Sequence, residues 1–212
     1  MKGHMTVVSC GVRYEDMPPE HMRAVEKSTV MAGGQRLLDW FPGYEGTKIV
    51  LDSGIRETVR DLTGYAQEEK VVVLAGGDAL FFGIGSVLTE ELPPEDLTIL
   101  PNISAAQAAL ARFKIPWGTD TRFFSLHGRD IQLPWRRMLQ AAPAVVYCDP
   151  KQSPHAVCKR LIEFWPAAAR MKGGVAENLG MPQEKVISGT LDELANGEFD
   201  GHAVLACLMI VN

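Results

Sequence analysis

Four short stretches of this 212-residue sequence carry residue types suited to holding a small ligand: Gly76-Gly77-Asp78-Ala79-Leu80, Pro101-Asn102-Ile103-Ser104-Ala105, Asp149-Pro150-Lys151-Gln152-Ser153-Pro154 and Glu177-Asn178-Leu179-Gly180. Glycine allows a sharp turn and close approach of a ligand to the backbone, and an Asp or Ser beside it can cap a helix or orient a bound group. Such loops present amides and carbonyls that suit an adenosine and an amino-acid moiety, but they supply no nucleophile. Chemistry in which the protein chiefly aligns two reactants, such as methyl transfer, fits them. Ordinary structural turns are the plainer reading of the same residues.

Several familiar sites are set aside on spacing. There is no GxxxxGK[ST] phosphate loop and no HExxH. Gly83-Ile84-Gly85 is followed by Leu88 where a dinucleotide fingerprint needs glycine, and it falls inside the helical pattern expected after the first glycine loop. The five histidines (His4, His21, His127, His155, His202) do not pair at metal-ligand spacings, so no metal site is expected. Ser125, His127 and Asp130 invite a catalytic-triad reading, but Ser125 belongs to a strand pattern and not to a sharp nucleophile turn.

The elements that must position these loops alternate along the chain. Val71-Val72-Val73-Leu74-Ala75 is a continuous apolar run of the buried parallel-strand type, and open α/β sheets place ligands at the carboxyl ends of such strands. Further strands are expected at Thr6–Cys10, Thr29–Ala32, Lys48–Leu51 and Leu97–Leu100. Helices are expected from Pro18, from Gly33, along the stripe Ile55, Val59, Leu62 and Ala66, and along Ile103, Ala106, Leu110 and Phe113. This rhythm predicts an α/β domain on a largely parallel sheet over residues 1–115. Lys114-Ile115-Pro116-Trp117-Gly118-Thr119-Asp120 breaks it and is the expected domain boundary. Strands at Thr121–Leu126, Ala144–Cys148, within 168–178, at Lys185–Thr190 and at Ala203–Val211, with fewer helices between them, predict a mixed-sheet α/β domain over residues 121–212.

Composition narrows the function class. Apolar residues make up 46% and charged residues 22%, enough to bury a core and unlike a disordered chain. The formal net charge of -5 argues against nucleic acid or an anionic membrane as the main partner. No apolar run reaches the roughly 18 residues of a membrane span, and Met1-Lys2-Gly3-His4-Met5 lacks a signal-peptide hydrophobic region, so the cytoplasm is the expected location. Cys10, Cys148, Cys158 and Cys207 form no CxxC pair and read as buried free thiols in a reducing compartment.

Taken together, the loops resemble those of the tetrapyrrole methylase superfamily, which transfers methyl groups from S-adenosylmethionine, and the resemblance spans nearly the whole chain. Gly76 to Gly85 looks like the family's glycine–aspartate–proline loop with Ala79 in place of proline. Pro101-Asn102-Ile103-Ser104-Ala105 looks like its proline–glycine–hydroxyl motif with Asn102 in place of glycine. Ala176-Glu177-Asn178-Leu179-Gly180 is similar to its late turn. Phe124-Ser125-Leu126-His127-Gly128-Arg129 resembles the cobalamin-pathway branch that methylates C5 of the precorrin ring. The loop after the first strand departs from the family's GxGPGD: Gly11-Val12-Arg13-Tyr14-Glu15-Asp16 keeps the first glycine and the last acid and loses the proline and two glycines. In the family that loop lies by the macrocycle pocket.

The resemblance implies two α/β domains with cofactor and macrocycle in a cleft between them, and a homodimer. It implies that Gly76, Gly77, Asp78, Leu80, Ser104, Ala105, Tyr147, Asn178 and Leu179 hold S-adenosylmethionine, whose product is S-adenosylhomocysteine. The substrate would be a precorrin or cobalt-precorrin, whose electron-rich ring carbon takes the methyl by direct displacement, so no catalytic side chain is strictly required. His127 and Asp16 are the candidates for moving the ring proton. Arg129, Arg13 and His127 are the candidates for the ring and its carboxylates, with Arg112, Arg136 and Arg137 as alternatives that also read as solvated helix charges. No second methylase domain follows, so C15 methylation and decarboxylation fall to a separate subunit. The competing readings are a ribosomal RNA ribose methyltransferase of the same superfamily, a non-catalytic methylase-like partner subunit and a generic nucleotide-binding module. The first is disfavoured by the lack of an obvious basic surface.

Overall fold

Valine-rich runs bounded by glycine and proline pair into sheets because β-branched side chains pack well on a pleated surface. The computed structural model describes residues 4–51, 55–126, 135–140, 143–199 and 203–208. The chain forms two compact units, Met1–Ser104 and Ala105–Asn212.

In the first unit the elements are β1 (Met5–Ser9), α1 (Pro19–Glu26), β2 (Val30–Gly33), α2 (Gln35–Leu38), β3 (Thr47–Val50), α3 (Ile55–Tyr65), β4 (Val71–Ala75), α4 (Gly85–Glu91) and β5 (Leu97–Leu100). The sheet order is β3-β2-β4-β1-β5, and every pairing is parallel. Successive side chains of a strand face opposite ways, and here both faces are covered. Met5, Val7, Val30, Ala32, Val71 and Val73 pack with Val59 and Leu62 of α3 and Leu88 of α4. On the other face Val8, Met31, Val72 and Leu74 pack with Val25 of α1 and with Leu37 and Leu38 of α2. That two-sided burial is why β4 is apolar at every position.

The second unit comprises α5 (Ala105–Phe113), β6 (Arg122–Ser125), α6 (Trp135–Leu139), β7 (Ala144–Tyr147), α7 (Pro154–Phe164), β8 (Lys172–Glu177), β9 (Lys185–Thr190), α8 (Leu191–Ala195) and β10 (Ala203–Leu208). Its sheet runs β6-β7-β10-β8-β9, with β6 and β7 parallel and the other pairings antiparallel. The expected mixed sheet is therefore present. Ala144, Val146, Val175 and Leu205 share a core with Val157 and Leu161 of α7 and with Leu191 and Leu194 of α8.

Two sequence expectations need correction. The division of the chain precedes α5 and does not fall in 114–120, because α5 packs on β8 and β10 of the second unit. Its small residues Ala106, Ala108 and Ala109 are buried, and Gly174 of β8 admits the Phe113 ring so closely that a Cβ there would lie 2.4 Å from a ring carbon. Helix α4 begins only at Gly85, so Gly83 lies outside it and Asp78 does not cap it. A Cβ on Gly83 or Gly85 would lie 2.6 or 2.7 Å from the Ala79 carbonyl oxygen, which also accepts the Gly85 amide. The glycine pair thus serves a tight turn back onto Ala79.

Candidate functional site

At the carboxyl edge of the first sheet, the loops after β1, β4 and β5 are tied together. Gly11 and Gly77 exchange two backbone hydrogen bonds, Gly11 N–H to Gly77 O at 3.1 Å and Gly77 N–H to Gly11 O at 2.8 Å. Both adopt the left-handed conformation, with φ of +67° and +66°, which glycine enters at no steric cost. Asn102, in the loop after β5, stands against Gly11, where a Cβ would lie 3.1 Å from its Nδ2. The same amide donates to the Asp16 carbonyl at 3.4 Å, and the Asn102 Oδ1 accepts the Ile103 amide at 2.8 Å.

The loop after β4 is shaped by two further bonds. The buried Ser9 hydroxyl accepts the Ala79 amide at 2.9 Å, and the Asp78 carboxylate accepts the Leu80 amide at 2.8 Å. Asp78 therefore holds a turn, and its neighbours Gly76 and Leu80 stay exposed, Leu80 by 54%. The buried His21 hydrogen-bonds the Ser9 carbonyl through Nδ1 at 3.0 Å and so anchors the end of β1 to α1. Arg36 of α2 reaches the same loop, with a guanidinium nitrogen 3.4 Å from where a Cβ on Gly76 would sit. Sequence reading missed Ser9, His21 and Arg36. A polar Ser closing an apolar strand was the one local signal, whereas Arg36 looks like any helix charge until β2 and β4 are seen side by side.

In the second unit, Tyr147 ends β7 and its hydroxyl accepts the Ala106 amide at 2.8 Å, satisfying an orphan donor in the first turn of α5. Beyond β8, Asn178 (φ +50°) and Gly180 (φ +78°) make a left-handed turn, with Leu179 buried. Glu184 braces that turn: its carboxylate accepts the Gly180 amide at 2.7 Å and pairs with Arg112 of α5, also at 2.7 Å. Arg112 is thus an exposed helix charge that is also ion-paired to Glu184. Asp149 is buried and accepts the amides of Lys151 and Gln152 at 2.9 and 2.8 Å, which shapes the loop after β7.

The remaining candidates fall as follows. Gly76, Gly77, Asp78, Leu80 and Ser104 belong to the first unit; Ala105, Tyr147, Asn178 and Leu179 belong to the second. Asp16 and Arg13 are paired with each other, Arg13 Nη2 to Asp16 Oδ1 at 2.6 Å and Nε to Oδ2 at 3.0 Å. His127, Arg129 and Asp130 lie outside the described residues. Cys10, Cys148 and Cys158 are free and buried, and Cys207's side chain is outside the described set. Burial pushes the Cys10 and Cys158 thiols up to about 12 and raises Cys148 as well, so all three stay protonated and unreactive near neutrality. Among the described residues no helix is long and apolar enough to cross a membrane.

Comparison with known proteins adds to this geometry. Residues 4–195 match the family model of the tetrapyrrole (corrin/porphyrin) methylases. The chain is 29% identical over 187 residues to the cobalt-precorrin-7 C(5)-methyltransferase of Salmonella typhimurium, covering 86% of this chain and 88% of that one. Among solved structures it resembles the precorrin-6Y methylase of Archaeoglobus fulgidus with a TM-score of 0.75 at 21% identity, over 97% of each chain. It also resembles the uroporphyrin-III C-methyltransferase of Thermus thermophilus, solved with S-adenosylhomocysteine, with a TM-score of 0.78 at 20% identity over 99% of each chain. Likeness at those identities establishes the fold.

Proposed function

Because the chain belongs to the tetrapyrrole (corrin/porphyrin) methylase family, we propose that it methylates C5 of a late precorrin, with or without cobalt, in cobalamin biosynthesis. The observation that carries this reading is the similarity, over 86% of the chain, to the cobalt-precorrin-7 C(5)-methyltransferase. S-adenosylmethionine, when bound, supplies the methyl group as a sulfonium electrophile.

The residues present fit that donor. Gly76 offers exposed backbone beside the Arg36 guanidinium, Gly77 holds the left-handed turn, and Ser9 pins the Ala79 amide. The proposed donor contacts are Gly76, Gly77, Asp78, Leu80, Ser104, Ala105, Tyr147, Asn178 and Leu179. Preformed loops of this kind lower the entropy lost on binding and orient the methyl toward its acceptor. Asp16 is held in an ion pair with Arg13, which suits it to bracing the loop more than to taking a proton. His127 remains the proposed proton acceptor and Arg129 the proposed carboxylate contact. In this proposal the protein works as a homodimer, and a separate subunit carries out C15 methylation and decarboxylation.

Incubation with methyl-labelled S-adenosylmethionine and precorrin-7, with and without cobalt, tests the reading. Label at C5 is the expected result. Binding of S-adenosylhomocysteine with no label on any ring carbon would count for a non-catalytic partner subunit. Replacing Arg129 with Ala should weaken ring binding more than donor binding.

A further inference from the structure

Beyond Gly77 the chain makes a four-residue turn: the Asp78 carbonyl accepts the Phe81 amide at 3.1 Å, and the Asp78 carboxylate accepts the Leu80 amide at 2.8 Å. Ala79 is the second residue of that turn, the position where the fixed φ of proline, about −65°, fits without strain. The family's loop carries proline there, and proline has no N–H to satisfy. Ala79 is buried and brings an amide that needs an acceptor.

Ser9 supplies it. Its hydroxyl accepts the Ala79 amide at 2.9 Å, and the Ala79 carbonyl accepts the Gly85 amide at 2.9 Å, so both polar groups of the residue are held. Ser9 is itself fixed on two sides. Its carbonyl accepts from His21 Nδ1 at 3.0 Å, and the next amide, of Cys10, donates to the Ala75 carbonyl at 2.8 Å, which keeps the end of β1 against the end of β4. A carbonyl only accepts, so Nδ1 carries the proton in that bond. His21, Ser9 and Ala79 are all buried, so the bonds from α1 through β1 to the loop lie where water does not compete for them.

We propose that Ser9 and His21 are positioning residues for the methyl donor: their bonds hold the Gly76–Leu80 loop in the shape that receives it, the task a proline performs through its ring. This rests on the assignment of the donor to that loop in the function proposed above. A loop whose buried amide has lost its acceptor spends part of its time in other shapes, and donor affinity falls with the fraction that remains competent.

Calorimetry of S-adenosylhomocysteine, beside urea titrations of the same variants, tests the proposal. Ser9→Val and Ser9→Thr place side chains of the same shape at this position and differ in the hydroxyl. Ser9→Val should bind about 3- to 10-fold more weakly than Ser9→Thr, the range of one hydrogen bond. Adding Ala79→Pro to each removes the amide and should bring the two within about twofold of one another. His21→Leu should likewise bind more weakly than His21→Asn, whose side-chain amide can donate in place of Nδ1. Equal affinities in the Ser9 pair overturn the proposal even where stability falls, because the bond would then serve the fold alone. A gap that persists in full after Ala79→Pro also overturns it, since the hydroxyl would be acting through something other than the amide. Should Ser9→Val not fold, the His21 pair carries the test, and equal affinities there overturn it. Parent protein that does not bind S-adenosylhomocysteine would overturn the donor assignment, and the proposal with it.

Discussion

Gly77 is a donor and an acceptor to Gly11 and sits at φ +66°, so two separate requirements meet on one residue. Any other L-residue there costs roughly 1–2 kcal/mol in backbone strain. Gly77→Ala should lower stability by about that amount in a urea titration, and calorimetry should show weaker S-adenosylhomocysteine binding. Ser9→Ala acts differently, because it strands the buried Ala79 amide without straining the chain. A loss of about 1–3 kcal/mol is expected, with Ser9→Thr recovering part of it. Asp16→Asn should leave stability within about 1 kcal/mol, since its pair with Arg13 is partly exposed. A drop of kcat by two orders of magnitude or more, with KM unmoved, would reinstate Asp16 as a base. The glycines were readable in the sequence because few residue types satisfy their backbone. Ser9 was not, because a strand-ending serine is common and its partner lies seventy positions away.

Helix α5 shows how an element can be read in type and misread in allegiance. Its 3.6-residue apolar stripe is plain in the sequence, but nothing local says which sheet it covers. The alanines, Gly174 and the Arg112–Glu184 pair decide that. Gly174→Ala should destabilise the second unit by roughly 1–3 kcal/mol through overpacking against Phe113, and adding Phe113→Leu should return part of the loss. The Glu184 carboxylate links α5 to the Asn178–Gly180 turn. Glu184→Gln and Arg112→Ala combined should therefore show a coupling energy of about 0.5 kcal/mol or more in a double-mutant cycle read by S-adenosylhomocysteine affinity. Additive effects would mean that the turn does not depend on the helix.

Across the whole molecule, buried thiols in both units give stability a defined alkaline limit. Burial raises Cys10 and Cys158 from 9.0 to about 12, so between those values the folded chain keeps protons that the unfolded chain has released. Their contribution is fully present below about pH 9 and is lost as pH rises toward 12. Denaturant titrations from neutral to alkaline pH should show this fall, and Cys158→Ala should make it shallower than in the parent. Equal slopes would mean that the thiol is not shielded.

The order and kind of most elements, the largely parallel character of the first sheet, the mixed character of the second and the loops with ligand-binding residue types were determined by the sequence itself. Each rests on a local requirement: period, apolar run length, or a φ that only glycine tolerates. The pairing of Gly11 with Gly77, the clasp of Asp16 by Arg13 and Asn102, the Ser9 anchor and the transfer of α5 to the second unit were decided only by tertiary structure. Those depend on which distant segments lie side by side, and a hydrogen bond across such a distance leaves no periodic trace in the chain.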